Sequence, residues 1–169
     1  GDHGIGMENG SRAAAKAAKA LVADGAGLST TLAAAGDAWA DRAGGTSGAL
    51  WGAILTSFGA TFGDQDSPTE EKFVAAVTAT LDAVQRLGGA EVGDKTLVDS
   101  LAPLAKAFAS TDGDLRAKGE AGLAAAEKGA QSTVDLVAKL GRARPLGKKS
   151  VGTADPGAVS LVEVARVLV

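Results

Sequence analysis

Residues 67–89 read "SPTEEKFVAAVTATLDAVQRLGG", and this stretch decides the fold class. Phe73, Val77, Leu81 and Val84 recur every three to four residues, the period of one apolar helix face. Ser67 followed by Glu70 three positions on forms a capping-box signature, with Pro68 at the first helical position. Gly88 and Gly89 close the element, since glycine tolerates the left-handed turn that ends a helix.

The same grammar extends in both directions. Residues 11–24 ("SRAAAKAAKALVAD") end at Gly25, and a second helix covers about 28–42. Residues 46–63 ("TSGALWGAILTSFGATFG") carry Trp51, Ile54, Leu55, Phe58 and Phe62 and are apolar on most sides, the mark of a buried helix. Further helices follow at about 96–109, 115–140 and 157–168; Pro103 fits the first of these only near its start or as a kink. Trp39, Trp51 and Met7 read as core. About seven helices, short Gly- and Asp-rich connections and no strand predict an all-α fold. The expected form is an up-and-down antiparallel helical bundle or barrel, a single domain over 1–169.

Composition narrows the function. A chain of 169 residues with 46% hydrophobic and 22% charged residues can bury a core and is not of the disordered class. A net charge of −3 argues against a nucleic-acid surface, which needs clustered Lys and Arg. With one histidine and no cysteine, a His- or Cys-built zinc site is excluded, whereas carboxylates around a hard ion are not. No apolar run has membrane-spanning length and no signal peptide is visible, so a cytoplasmic protein with no membrane partner is expected.

The glycines cluster with Asp, Ser, Thr and Arg in five segments read as loops: "GDHGIGMENG", "AGGTSG", "GGAEVGDKT", "GRARPLGKKS" and "GTADPGA". Alternate loops of an antiparallel bundle lie at the same end, so all five are expected at one rim. "GGTSG" runs directly into a helix whose first N–H groups, at Thr46 and Ser47, suit an anion. Asp155 and Pro156 read as N-cap and first residue of the last helix, and Arg142 and Arg144 offer forked donors for phosphate. Singly, each segment also reads as ordinary punctuation: a glycine turn before a cap, a solvated basic loop, a surface histidine. Their combination is what points to a phosphate-binding rim.

"GDHGIGM", "GGTSGALWG", "GDKTLVDSLAPL", "GAQSTVDLVAKLGRARPLG" and "SVGTADPGAVS" resemble, in order and spacing, the L domain (DhaL or DAK2 domain) of the dihydroxyacetone kinases. The resemblance covers essentially the whole chain. It implies a barrel of eight antiparallel helices that binds ATP or ADP with Mg2+ at one rim. A separate K domain or subunit holds the ketose through its own histidine, so no catalytic residue is expected in this chain. The family motif resembles D-x-x-x-x-D-x-D-H-G, whose three carboxylates hold magnesium; only the last, Asp2, is present. The first helix and the other two carboxylates are therefore expected upstream of Gly1.

By position, the resemblance makes Asp2 a magnesium ligand and His3, Gly4, Ile5 and Gly6 the loop beneath the phosphates. Gly6 stands where the family commonly has Asn. Thr46 and Ser47 become phosphate ligands, and Gly88 and Leu97 the adenine-side wall, with Leu97 in place of a frequent Met. Arg142 lies near the phosphates, and Asp155, Pro156 and Gly157 close over the nucleotide. Asp94 and Thr96 are expected to fix their own loop, with Thr96 an N-cap. The "GDHGIGM" variant with "AGDAWADRAGGTSGALWG" resembles the actinobacterial fused or ATP-dependent type, for some of which erythrulose is an implied substrate. Two alternatives stand beside this one. One is a phosphotransferase-system subunit that keeps ADP bound and is rephosphorylated by a donor protein. The other is a non-catalytic helical barrel that holds a lipid.

Overall fold

The computed structural model describes residues 2–65 and 67–169. Every regular element among them is helical, as the apolar periodicity predicts. The chain forms two compact units, Gly1–Gly88 and Gly89–Val169.

The first unit contains α1 (His3–Ala23), α2 (Leu28–Ala43), α3 (Gly45–Phe62) and α4 (Glu70–Gly88), each packed mainly on its neighbours in sequence. Glycine lets the α2 and α3 backbones meet: a Cβ on Gly36 would stand 2.7 Å from the Gly52 carbonyl oxygen, and one on Gly52 2.8 Å from that of Gly36. The buried Trp39 and Trp51 rings stack with centroids 5.2 Å apart, and Phe58, Phe62 and Phe73 form a second aromatic cluster.

Two boundaries in this unit correct the sequence reading. The N-terminal decapeptide is not a loop, because α1 begins at His3. Its glycines serve close packing: any side chain on Gly10 would collide with the Trp39 indole. Helix α4 begins at Glu70 rather than at Ser67 and Pro68. Thr69 is the cap that wins, its Oγ1 accepting from Lys72 N at 3.4 Å and its carbonyl from Phe73 N at 3.1 Å. That start places both Glu70 and Glu71 in the first turn, where the helix dipole favours anions.

The second unit contains α5 (Val98–Ser110), α6 (Leu115–Ser132) and α7 (Pro156–Leu168), with 3-10 turns at Thr133–Asp135 and Arg144–Ser150. Ala126, Ala130, Ala158 and Val162 form its core, with Leu104 and Leu123 against them. Helix α6 stops at Ser132, short of the expected 140. The Ser132 hydroxyl donates back to the Gly129 carbonyl (2.7 Å) and that of Thr133 to the Ala130 carbonyl (2.6 Å), local bonds that compete with helix continuation.

Pro103 stands inside α5, past its first turn. Lacking an N–H, it leaves the Asp99 carbonyl without its i+4 helix donor. Gly129 of α6 seats its backbone against that carbonyl and the Pro103 ring. No described helix is long and apolar enough to cross a membrane.

Candidate functional site

In the first unit the expected phosphate-side residues share one end. Asp2 is exposed at the start of α1; its carbonyl accepts from Gly6 N at 3.0 Å, and its side chain makes no capping bond. His3 is half-buried, while Gly4 and Ile5 are exposed; all three belong to the first turn of α1. A Cβ on Gly6 would lie 3.5 Å from the Ala43 carbonyl, ordinary contact, so this start abuts the end of α2.

Gly44 and Gly45 follow immediately with φ of 63° and 61°, a left-handed turn that other residues enter at a cost. Helix α3 opens with no side-chain cap, and its first intrahelical bond runs from Gly48 N to the Gly44 carbonyl at 3.1 Å. The amides of Gly45, Thr46 and Ser47 therefore have no acceptor in their own helix. Thr46 and Ser47 are exposed beside them. The end of α4 lies nearby, since a Cβ on Gly88 would stand 3.4 Å from Leu50 Cδ2 in α3. The end of this unit is thus an open helix N-terminus with two hydroxyls and one carboxylate.

In the second unit a different set converges. Asp155 caps α7, its Oδ2 accepting from Ala158 N at 2.8 Å, with Pro156 at the first helical position. A Cβ on Gly157 would approach Asp155 Oδ2 at 3.0 Å and the buried Leu97 Cβ at 3.4 Å. Leu97, Asp155 and Gly157 are therefore contiguous. Arg142 is exposed in the turn 141–143, and Arg144 opens the following 3-10 turn.

The "GDKT" loop is fixed by its own residues. Asp94 accepts from Glu91 N (2.9 Å) and from Lys139 Nζ (2.9 Å). The Glu91 amide, then Lys139, hold its carboxyl below the usual range. Thr96 Oγ1 accepts from Val98 N at 3.2 Å, fixing the loop as expected, although the N-cap position of α5 falls on Leu97 rather than on Thr96.

Two residues here escaped the sequence reading. Asp99, 2% exposed, accepts from Gly93 N (2.6 Å) and Thr96 N (2.7 Å). The signal for it was present, since Thr96 and Asp99 form a capping-box spacing ahead of an apolar run. Lys95 is also buried and has left-handed φ, and nothing in its sequence context distinguishes it from a solvated lysine.

Among the described residues no group of three or more His, Asp and Glu side chains is placed to hold a metal. Asp2 could serve as one hard oxygen ligand, and a magnesium shell needs others with it.

The sequence matches the DAK2 domain family over residues 1–169. An L-erythrulose 1-kinase of Mycolicibacterium smegmatis is 51% identical across 99% of this chain and 30% of its own length. An L-erythrulose kinase of Pectobacterium atrosepticum is 44% identical across 97% of this chain and 28% of its own length. The ADP-binding subunit DhaL of a PEP-dependent dihydroxyacetone kinase from Listeria innocua is 33% identical across 95% of this chain and 75% of its own length. The chain thus spans less than a third of the two erythrulose kinases. The dihydroxyacetone kinase of C. freundii, solved in complex with AMP-PNP and Mg2+, matches 84% of this chain and 23% of its own, with 27% identity and a TM-score of 0.59. A sequence match along its whole length, carried by an all-helical chain, shows that this chain belongs to the DAK2 domain family.

Proposed function

We propose that this chain is the nucleotide-binding L domain of an ATP-dependent short-chain ketose kinase, handing a phosphoryl group to a ketose held on a K domain. The observation that carries the reading is the start of α3. Three amides without helix acceptors, left-handed Gly44 and Gly45, and exposed Thr46 and Ser47 provide what phosphate oxygens require. Identities of 51% and 44% to erythrulose kinases, against 33% to a PEP-dependent subunit, favour the ATP-dependent form and a four-carbon ketose. A phosphotransferase donor protein belongs to the second form.

The remaining assignments follow residue by residue. Asp2 is a ligand for magnesium, which when bound neutralises phosphate charge. His3, Gly4, Ile5 and Gly6 present helical backbone to the phosphates. Gly88 and Leu97 contact the base, Arg142 contributes positive charge, and Asp155, Pro156 and Gly157 close on the nucleotide. The chain's own contribution is positioning and fixed dipoles; the proton of the ketose hydroxyl is handled on the K domain. ATP as donor fits a cytoplasmic reaction.

Calorimetric titration of the full-length protein with AMP-PNP, with and without Mg2+, tests the reading. A hydroxyl donating to a charged oxygen contributes about 1.5–3 kcal/mol, so Thr46→Ala or Ser47→Ala is expected to weaken binding roughly 10- to 100-fold. A wild-type protein that binds no nucleotide under either condition sinks the proposal.

A further inference from the structure

A lysine in a glycine-bearing loop of a nucleotide-binding domain invites assignment as a phosphate ligand, but the geometry of Lys95 excludes that role. An ammonium has three protons to donate. Lys95 Nζ donates to the carbonyls of Thr133 (2.7 Å), Leu136 (3.2 Å) and Thr153 (2.6 Å), and the residue is 4% exposed. Every proton is engaged inside the protein, and no donor is left for a ligand.

The three acceptors belong to two separate stretches of chain. Thr133 and Leu136 lie where α6 gives way to its 3-10 turn; Thr153 stands two residues before the cap of α7. Carbonyls at the end of a helix carry partial negative charge, so the cluster offsets the cost of burying a cation. Lys95 itself has φ of 60°, a left-handed conformation that a non-glycine residue adopts only at a cost. Asp99 holds the loop in that shape by taking the amides of Gly93 and Thr96 on either side.

We propose that Lys95 is a positioning residue: its buried ammonium clamps the segment before α7 onto the end of α6 and thereby holds Asp155 and Gly157 against Leu97. The inference rests on the proposed nucleotide-binding role of those three residues. Two further bonds follow the same seam, from Gly152 N to the Val134 carbonyl (2.8 Å) and from Asp155 N to Thr133 Oγ1 (2.8 Å). Both join the stretches that Lys95 ties together. Without the ammonium, the three convergent carbonyls would lose their shared donor, only Thr133 keeping a bond, from Leu136 N at 3.2 Å, and the seam would open.

Lys95→Met keeps the length of the side chain and removes its charge and donors. In the full-length protein the variant is expected to raise the KM for ATP at least 10-fold with kcat changed less than 2-fold. Amide exchange at Gly152 and Asp155 is expected to quicken at least 10-fold, while exchange within α4 stays unchanged. Lys95→Arg keeps the charge but offers a planar fork in place of three diverging donors, so it is expected not to restore the KM. Full recovery with Arg, or exchange at Gly152 and Asp155 equal to wild type in a folded Lys95→Met protein, overturns the proposal. So does quickened exchange with an unchanged KM.

Should Lys95→Met not fold, the wild-type protein still decides. Its Lys95 ammonium protons, observed by nitrogen-15 NMR, are expected to exchange at least 100-fold more slowly than those of exposed Lys16. Equal rates refute the clamp. A wild type that binds no nucleotide would instead sink the kinase reading, leaving the amide and ammonium exchange to judge the clamp by itself.

Discussion

Replacing Gly129 with alanine adds one methyl group in the last turn of α6, where helix propensity alone favours alanine by up to about 1 kcal/mol. The surroundings reverse that sign. The new Cβ would overlap the Asp99 carbonyl oxygen and stand 3.0 Å from both the Asp99 carbonyl carbon and Pro103 Cγ. A carbon normally rests no closer than about 3.3 Å from a carbonyl oxygen, so α5 and α6 must part by roughly 1 Å at this point. The obstacle is backbone, with no flexible side chain to swing aside, which puts the overpacking cost near the upper end of its usual range, about 3 kcal/mol. The net is a loss of about 2 kcal/mol, or roughly 4–8 °C in Tm for a domain of this size. Gly122 supplies the control in the same helix. Its Cβ would find only ordinary contacts, at 3.4 Å from the Leu104 carbonyl oxygen and 3.5 Å from Leu104 Cγ. Gly122→Ala is therefore expected to gain up to about 1 kcal/mol from propensity. Thermal melts followed by far-UV circular dichroism compare the pair. A Gly129→Ala protein melting at or above wild type would refute the packing argument, because propensity would then outweigh the backbone collision.

Two further outcomes follow from the caps. Asp64 reaches back to the start of α2, accepting from Thr30 N (2.8 Å) and from Thr30 Oγ1 (2.6 Å), and these bonds hold its carboxyl below the ordinary 3.8. A depressed native value means the stabilisation is present above the unfolded value and is lost as pH falls through the native one. Urea midpoints are thus expected to drop between pH 4 and lower pH in wild type, and less steeply in Asp64→Asn; parallel acid slopes contradict this. Asp155→Ala removes the α7 cap at a cost of about 1 kcal/mol, whereas Asp155→Asn, an equally good cap, is expected to stay within a few tenths of wild type by chemical denaturation.

The helices were legible because their signal is local and repeated. The stripe of Phe73, Val77, Leu81 and Val84 needs one face to be apolar and nothing more. What misled was glycine, which carries two meanings in one letter. At Gly44 and Gly45 it supplies left-handed backbone and does mark a turn. At Gly10 and Gly36 it supplies the absence of a side chain inside a helix, where Trp39 and the backbone at Gly52 come too close for any Cβ. Only the neighbouring helix separates the two cases, and sequence spacing does not contain it. That is why "GDHGIGMENG" read as a loop. The end of α6 was missed for a related reason, since serine and threonine hydroxyls that turn back on the helix look the same in sequence as those that face solvent.

Of the candidate residues, those whose role is structural were partly readable, and of those assigned to the nucleotide only Thr46, Ser47 and Arg142 were suggested by their own chemistry, the others by resemblance. The caps show why the two kinds part. Thr69 caps α4, Thr96 and Asp99 secure α5, Asp114 caps α6 and Asp155 caps α7, while Asp64 reaches across to serve α2. Among the described residues the N-cap residues of α1, α2, α3 and α5 make no side-chain cap bond; at α2 the Asp64 carboxylate takes the Thr30 amide, and at α5 the Thr96 hydroxyl takes the Val98 amide. A cap contributes about 1 kcal/mol and needs only one Ser, Thr, Asp or Asn in place. At α1 and α3 the N-cap residues are Asp2, whose side chain makes no capping bond, and Gly44, which has no side chain to make one. Both starts lie at the same end of the first unit, joined through Gly6 and Ala43. Two adjacent helix starts with no bond from the N-cap side chain are where a functional demand is expected to have displaced stability. On the proposed reading, an external anion there would supply to α1 and α3 what their own N-cap side chains do not.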